Sequence, residues 1–164
     1  MFTSCTALRH VGTIKAHHVQ TADSMFMSCS NLEEIHRLEM PALNSAQQMF
    51  DKSGIKAVPD GLTFEHLTRG NRMFHATPNL KRIPKLVMPA LQNAMLMFND
   101  SAVEFIGQLS IPAVTRATKM FCRSKLQSIL RHKINPNMTM SAKHMMFYSC
   151  PAYRAFGKNG ERFT

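Results

Sequence analysis

The chain has no tryptophan and two tyrosines, so its aromatic character rests on eleven phenylalanines. No apolar run reaches eighteen residues, which leaves no candidate for a membrane-spanning helix. The start, Met1-Phe2-Thr3-Ser4-Cys5, lacks the basic flank and apolar stretch of a secretory signal. It therefore predicts a cytoplasmic or virion-associated protein rather than a secreted one, unless the sequence is a fragment or a mature form.

Acidic residues are scarce, ten against twenty Lys and Arg. The imbalance is local. Residues 1–72 hold seven of each sign, whereas residues 73–164 hold thirteen cations against Asp100, Glu104 and Glu161. Such asymmetry predicts an acidic or polyanionic partner for the second half.

The usual catalytic and metal-binding patterns are missing too. The four cysteines form no Cys-x-x-Cys pair, and the eight histidines form no His-x-x-x-His pair. His17 and His18 adjoin, while His10, His36, His66, His75, His132 and His144 are scattered, as surface histidines are. Gly157-Lys158-Asn159-Gly160 lacks the rest of a phosphate loop and predicts a turn. The acids are too few for a catalytic carboxylate pair, with Glu33-Glu34 on predicted surface. These absences predict no enzyme, no metal and no cofactor.

What is present is a repeat. Met-Phe occurs at Met1-Phe2, Met25-Phe26, Met49-Phe50, Met73-Phe74, Met97-Phe98, Met120-Phe121 and Met146-Phe147, at intervals of 24, 24, 24, 24, 23 and 26 residues. Four residues after each Met stand Cys5, Cys29, Ser53, Thr77, Ser101, Ser124 and Cys150, all small. Three before it stand Ala22, Ala46, Gly70, Ala94 and Ala117. A column kept small implies close approach between successive units. The cysteines of the first column read as buried small residues, thiols rather than a disulfide framework, although stacking would bring Cys5 near Cys29.

An apolar series fills the rest of the unit: Leu32, Ile35, Leu38, Met40 and Leu43, then Leu80, Ile83, Leu86, Met88 and Leu91. The fifth unit carries Val103, Ile106, Leu109, Ile111 and Val114. In the third unit, Ile55, Val58, Leu62, Phe64 and Leu67 follow with a shift absorbed at Pro59-Asp60-Gly61. Three-residue spacing suits a helix as well as a tight coil, but Pro41, Pro89 and Pro112 recur mid-unit, where proline breaks helices. The pattern predicts a repeat solenoid of about six and a half coils of 24 residues. Short stacked strands should cover Leu-x-x-Ile-x-x-Leu, a second extended segment Met-Pro-Ala-Leu, and a helical turn the Met-Phe corner.

The pattern Met-Phe-x-x-(Cys/Ser/Thr)-x-x-Leu-x-x-Ile resembles the BspA-type leucine-rich repeats, in particular their Met-Phe-x-x-Cys-x-x-Leu-x-x-Ile subclass. The match is close over Met25–Ile35 and Met73–Ile83 and extends roughly over residues 1–153. It departs at Met40-Pro41-Ala42-Leu43 and Ile111-Pro112-Ala113-Val114, where that subclass commonly carries an Asp-Thr-Ser-like stretch. The resemblance implies a leucine-rich-repeat solenoid over residues 1–153, with residues 154–164 as a cap or tail. It also implies a binding module of the kind found on bacterial surfaces, in phage particles and in protist families.

Stacked coils leave a ladder of strand side chains exposed. One predicted surface column runs Arg9, Glu33, Lys56, Lys81, Glu104, Gln127, and the next His10, Glu34, Ala57, Arg82, Phe105, Ser128. The core columns repeat while these differ, as they would in a face fitted to one partner. Lys85, Arg131 and Lys133 join the strand side, and Arg116, Lys119, Arg123, Lys125 and Lys143 flank the corners. The foremost expectation is binding of a protein with an acidic patch. A nucleic acid or anionic glycan is the alternative, and a structural part of a phage particle or cell surface is the third. At the ends, Tyr153, Phe156 and Phe163 predict a C-terminal cap, whereas the N-terminal coil is predicted open and covered by another chain, unless its start is truncated or its edge tolerates exposure.

Overall fold

The computed structural model describes residues 1–160. The chain winds as a β-solenoid whose strands are all parallel. Its elements are β1 (His10–Lys15), β2 (Glu34–Glu39), β3 (Arg82–Val87), β4 (Phe105–Ile111), β5 (Ser128–Ile134) and a single helical turn, α1 (Tyr153–Phe156). They form two sheets, β1-β2 and β3-β4-β5.

The repeat places each strand beside its counterpart in the next coil. Val11 pairs with Ile35 and Ile14 with Leu38, and Ile83, Ile106 and Ile129 align in one row. Inward residues come three apart, so β2 and β3 each bury two side chains and turn the intervening pair outward. In β2, Ile35 and Leu38 are buried around exposed His36 and Arg37; in β3, Ile83 and Leu86 are buried around Pro84 and Lys85.

The Met-Phe corners lie at the centre of the core. Phe26, Phe50, Phe74, Phe98, Phe121 and Phe147 are fully buried. With Phe2 they make one stack of seven rings, neighbouring centroids 5.1–5.6 Å apart and planes within 13° of parallel. Beneath the rings runs a main-chain ladder in which Phe26 N–H donates to Met49 O, Phe50 to Met73 O, Phe74 to Met97 O and Phe98 to Met120 O, each at 2.8–2.9 Å.

The expected helical turn at the corner is absent. The backbone instead makes successive four-residue turns, Met25 N–H to Ala22 O and Cys29 N–H to Phe26 O. Each corner holds left-handed residues just before Met (Ser24, Gln48, Arg72, Leu96, Lys119, Met145) and three after it (Ser4, Ser28, Lys52, Ala76, Asp100, Arg123, Ser149), with φ between 49° and 59°. Left-handed backbone costs a non-glycine residue about 1–2 kcal/mol. Here it turns alternate N–H groups to the next coil, as in Ser24 to Gln47 O and Ser28 to Asp51 O, so inter-coil hydrogen bonds offset that strain. Lys52, exposed with φ 57°, is a direct test. Lys52→Gly should raise stability by about 0.5 kcal/mol, and Lys52→Val should lower it, as read from urea midpoints.

The predicted extended segment at Met-Pro-Ala-Leu is also replaced by a turn, Leu43 N–H to Met40 O, followed by single-residue bridges Thr21–Ser45–Arg69–Asn93–Arg116.

The small column is buried except at its first member. Cys29, Ser53, Thr77, Ser101, Ser124 and Cys150 lie inside, whereas Cys5 is exposed, contrary to expectation. The four thiols are free. Thr77 and Ser124 hydroxyls donate to the carbonyls of Phe74 and Phe121, and Cys29 Sγ to Phe2 O. Ser53 and Ser101 Oγ have no partner among the described residues, so the column selects for size before hydrogen bonding.

One coil breaks the sheet. The third coil has no strand, and its apolar series is the one that shifts at Pro59-Asp60-Gly61. On its strand side it bears only the bridge Arg37–Asp60, and Leu38 N–H donates to Asp60 O at 2.7 Å. Its chain therefore sides with β2, and β3 becomes the first strand of a second sheet.

At the C-terminal end, α1 brings Phe156 against Phe147 (5.2 Å) and edge-on to His132 (5.6 Å). Lys158 O accepts from Phe147 N–H, and Asn159 Oδ1 from Met145 N–H. This segment folds over the seventh corner. Tyr153 joins it through its backbone while its ring is exposed, and Phe163 lies outside the described residues.

Candidate interaction surface

The strand side collects the residues singled out from the sequence. His10 pairs in register with Glu34, and Arg82 with Phe105 and then Ser128. Glu33 N–H donates to Arg9 O, Lys56 N–H to Glu33 O, Glu104 N–H to Lys81 O and Gln127 N–H to Glu104 O. The first column thus runs through Arg9, Glu33 and Lys56 and again through Lys81, Glu104 and Gln127, and the second through His10 and Glu34 and again through Arg82, Phe105 and Ser128, each interrupted between the third coil and β3.

The two ends of this face differ in charge. In the N-terminal half, Glu33 lies between Arg9 (3.5 Å) and Lys56, so cations and carboxylate neutralise each other. The Lys56 hydrogen bond, reinforced by its charge, holds the Glu33 carboxyl below the ordinary glutamate range. Glu39 pairs with Arg37 and lies 3.8 Å from His17.

In the C-terminal half the strand cations have uncharged neighbours. The Arg82 guanidinium lies 5.5 Å from the centre of the Phe105 ring. Lys85 registers with Gln108, which registers with Arg131, and Ser110 registers with Lys133. Leu130, beside Arg131, is 69% exposed. Its exposure was not anticipated, because the third-residue rule treats the position only as outward, and outward residues are commonly polar. Phe105 and Leu130 thus offer apolar contact area flanked by Arg82, Lys85, Arg131 and Lys133. Large apolar or aromatic side chains rimmed by arginine are what interface centres use.

The corner cations belong to other ladders. Arg116 sits in the single-residue bridge row, and Arg123 is committed to Asp100 through two hydrogen bonds of 2.8 and 2.7 Å. They add no pair to the strand face.

The corners also carry a polar chain that the sequence did not reveal. Asp51, buried, accepts from His75 Nδ1 at 2.7 Å and lies 3.4 Å from Arg72 Nε; His75 Nε2 lies 3.8 Å from Asp100. His75 is therefore a half-buried bridge between two carboxylates and not a loose surface histidine. The signal was one column, two residues after Met, in which Asp51 and His75 occupy adjacent coils. Asp23 forms a similar knot, accepting from Ser45 Oγ (2.6 Å) and Gln47 N–H (2.8 Å).

Among the described residues, no group of three or more His, Cys, Asp or Glu is placed to hold a metal ion. Burial raises the Cys29 and Cys122 thiols and pushes Cys150 up to about 11, which keeps them protonated near neutral pH and weak as nucleophiles. Among the described residues, no helix is long and apolar enough to cross a membrane.

The break at the third coil leaves clefts on both of its sides. One, of about 320 Å³, lies among His10, Glu34, His36, Lys56 and Asp60. The other, of about 890 Å³, separates residues 57–65 from β3 and is edged by Asp60 and Glu65 on one wall and by Arg82 and Lys85 on the other. No family model, curated protein or solved structure matches the chain, so the geometry of this face carries the functional reading by itself.

Proposed function

We propose that the chain is a non-catalytic, leucine-rich-repeat-like binding module that engages another protein through the strand face of its C-terminal half. The partner presents an acidic patch with apolar residues at its centre. The observation that carries this reading is the unneutralised set Arg82, Lys85, Arg131 and Lys133 around half-buried Phe105 and exposed Leu130, against the internally paired Arg9, Glu33 and Lys56.

A polyanion would use the same cations but has less need of Leu130. The two readings separate in one experiment. The native chain and an Arg82→Glu/Lys85→Glu/Arg131→Glu/Lys133→Glu variant are immobilised and exposed to lysate of the source cell. On this reading a defined protein is retained by the native chain alone, after nuclease treatment and at moderate salt. Leu130→Asp weakens its retention. Material released by nuclease, or lost steeply as salt rises, identifies a polyanion instead. Equal retention by both chains would sink the proposal.

A further inference from the structure

Resting on the reading of the strand face as a protein-binding surface, we infer that the cleft between the third coil and β3 takes an extended peptide from the partner as an added strand. The peptide carries acidic residues three apart.

The main chain supplies the first reason. β3 is the edge of its sheet, paired on one side with β4 and on the other, among the described residues, with no strand. The third coil leans to β2, bonding through Asp60, and leaves that side of β3 facing the cleft. Neighbouring strands lie ~5 Å apart, and an open strand edge is a template for pairing. Pro84 turns its carbonyl toward β4, where a Cβ on Gly107 would come within 2.3 Å of it. This proline therefore does not aim its acceptor into the cleft. Strand addition of this kind draws affinity from main-chain hydrogen bonds and specificity from alternate side chains.

The side chains define the occupant. Arg82 and Lys85 stand three apart on β3, and their partners in β4, Phe105 and Gln108, carry no charge. A strand laid along the other edge would place outward residues beside the same two cations, where opposite charges are favoured. Its inward residues would meet Leu62, Phe64 and Ile83 at the floor. The fitting pattern is acidic–apolar–polar–acidic–apolar, the pairing to β3 that the third coil does not make.

The probe is a fluorescent acetyl-Glu-Ile-Thr-Glu-Leu-Thr amide, followed by anisotropy on the full chain. Expected are saturable binding and amide-exchange protection over residues 82–88 but not over β1, whose outer edge is also open. Arg82→Glu/Lys85→Glu, both exposed, should weaken binding about ten-fold with an unchanged melting temperature. Peptides with alternate amides N-methylated, or with Lys replacing Glu, should not bind. No binding, binding indifferent to N-methylation or to the double variant, or protection confined to β1 would each overturn the inference. Should the peptide fail while lysate capture still depends on Arg131, Lys133 and Leu130, the cleft falls and the face reading stands.

Discussion

Phe98→Ala is expected to lower stability by about 3–5 kcal/mol, a fall in melting temperature on the order of 10 °C for a chain of this size. The residue is fully buried, with rings above and below it at 5.4 and 5.3 Å. Alanine would remove both ring contacts, each adding about 0.5–1.5 kcal/mol beyond simple burial, and leave a ring-sized void that the coils cannot fill. They cannot close it because the main-chain ladder on either side, Phe74 N–H to Met97 O and Phe98 N–H to Met120 O, fixes their spacing.

Position in the stack adds a second expectation. A solenoid is stabilised between neighbouring coils, so a weak interface at its middle uncouples its ends. Phe98→Ala should broaden or split the thermal transition. Phe2→Ala, at a half-buried ring with one neighbour at 5.3 Å, should cost about 1 kcal/mol and leave a single transition. Equal effects of the two substitutions in calorimetry would mean that the stacked rings do not form the axis of the fold.

The axis was legible in the sequence because it repeats. Seven Met-Phe pairs and a small residue at fixed phase admit few arrangements other than coil upon coil, and the surface columns follow from the same spacing. The corner conformation was not legible. Left-handed backbone is normally signalled by glycine or asparagine, yet here Gln48, Lys52, Arg72, Leu96 and Lys119 adopt it because hydrogen bonds to the next coil override local preference.

The break at the third coil was half legible. The fifth coil loses a residue before Val103 and stays short, keeping three-residue spacing between Ile106 and Leu109. The third coil loses the equivalent residue before Ile55 but regains one at Pro59-Asp60-Gly61, so Val58 and Leu62 stand four apart. That spacing cannot turn both inward across an intact strand, and Gly61 takes φ 75° to resolve it. The shift was visible as a turn; that it would open the sheet and form a cleft depended on which neighbour the displaced chain joined. The charge contrast along the face was visible as composition, but its pairing was not. Whether Glu33 or Glu104 neutralises adjacent cations is a matter of side-chain reach across coils.

Two glycines in one surface column should respond to alanine with opposite signs. Gly12 and Gly107 each occupy the first outward position between the two inward residues of their strands, β1 and β4. Neither has a positive φ, so conformation does not separate them. Space does. A Cβ on Gly12 would meet nothing within 4 Å, whereas on Gly107 it would lie 2.3 Å from the Pro84 carbonyl oxygen and 3.2 Å from its carbon. Those are backbone atoms of the edge strand, so relief requires β3 and β4 to move apart. Gly107→Ala should therefore cost about 1–3 kcal/mol. Gly12→Ala should be neutral or raise stability by about 0.5–1 kcal/mol, since it only removes backbone freedom from the unfolded chain. Paired denaturant titrations give the answer directly. Matching midpoints would show that the close approach of Pro84 to Gly107 does not constrain the sheet. Opposite shifts would locate in that contact the rigidity with which β3 presents Arg82 and Lys85 at its open edge.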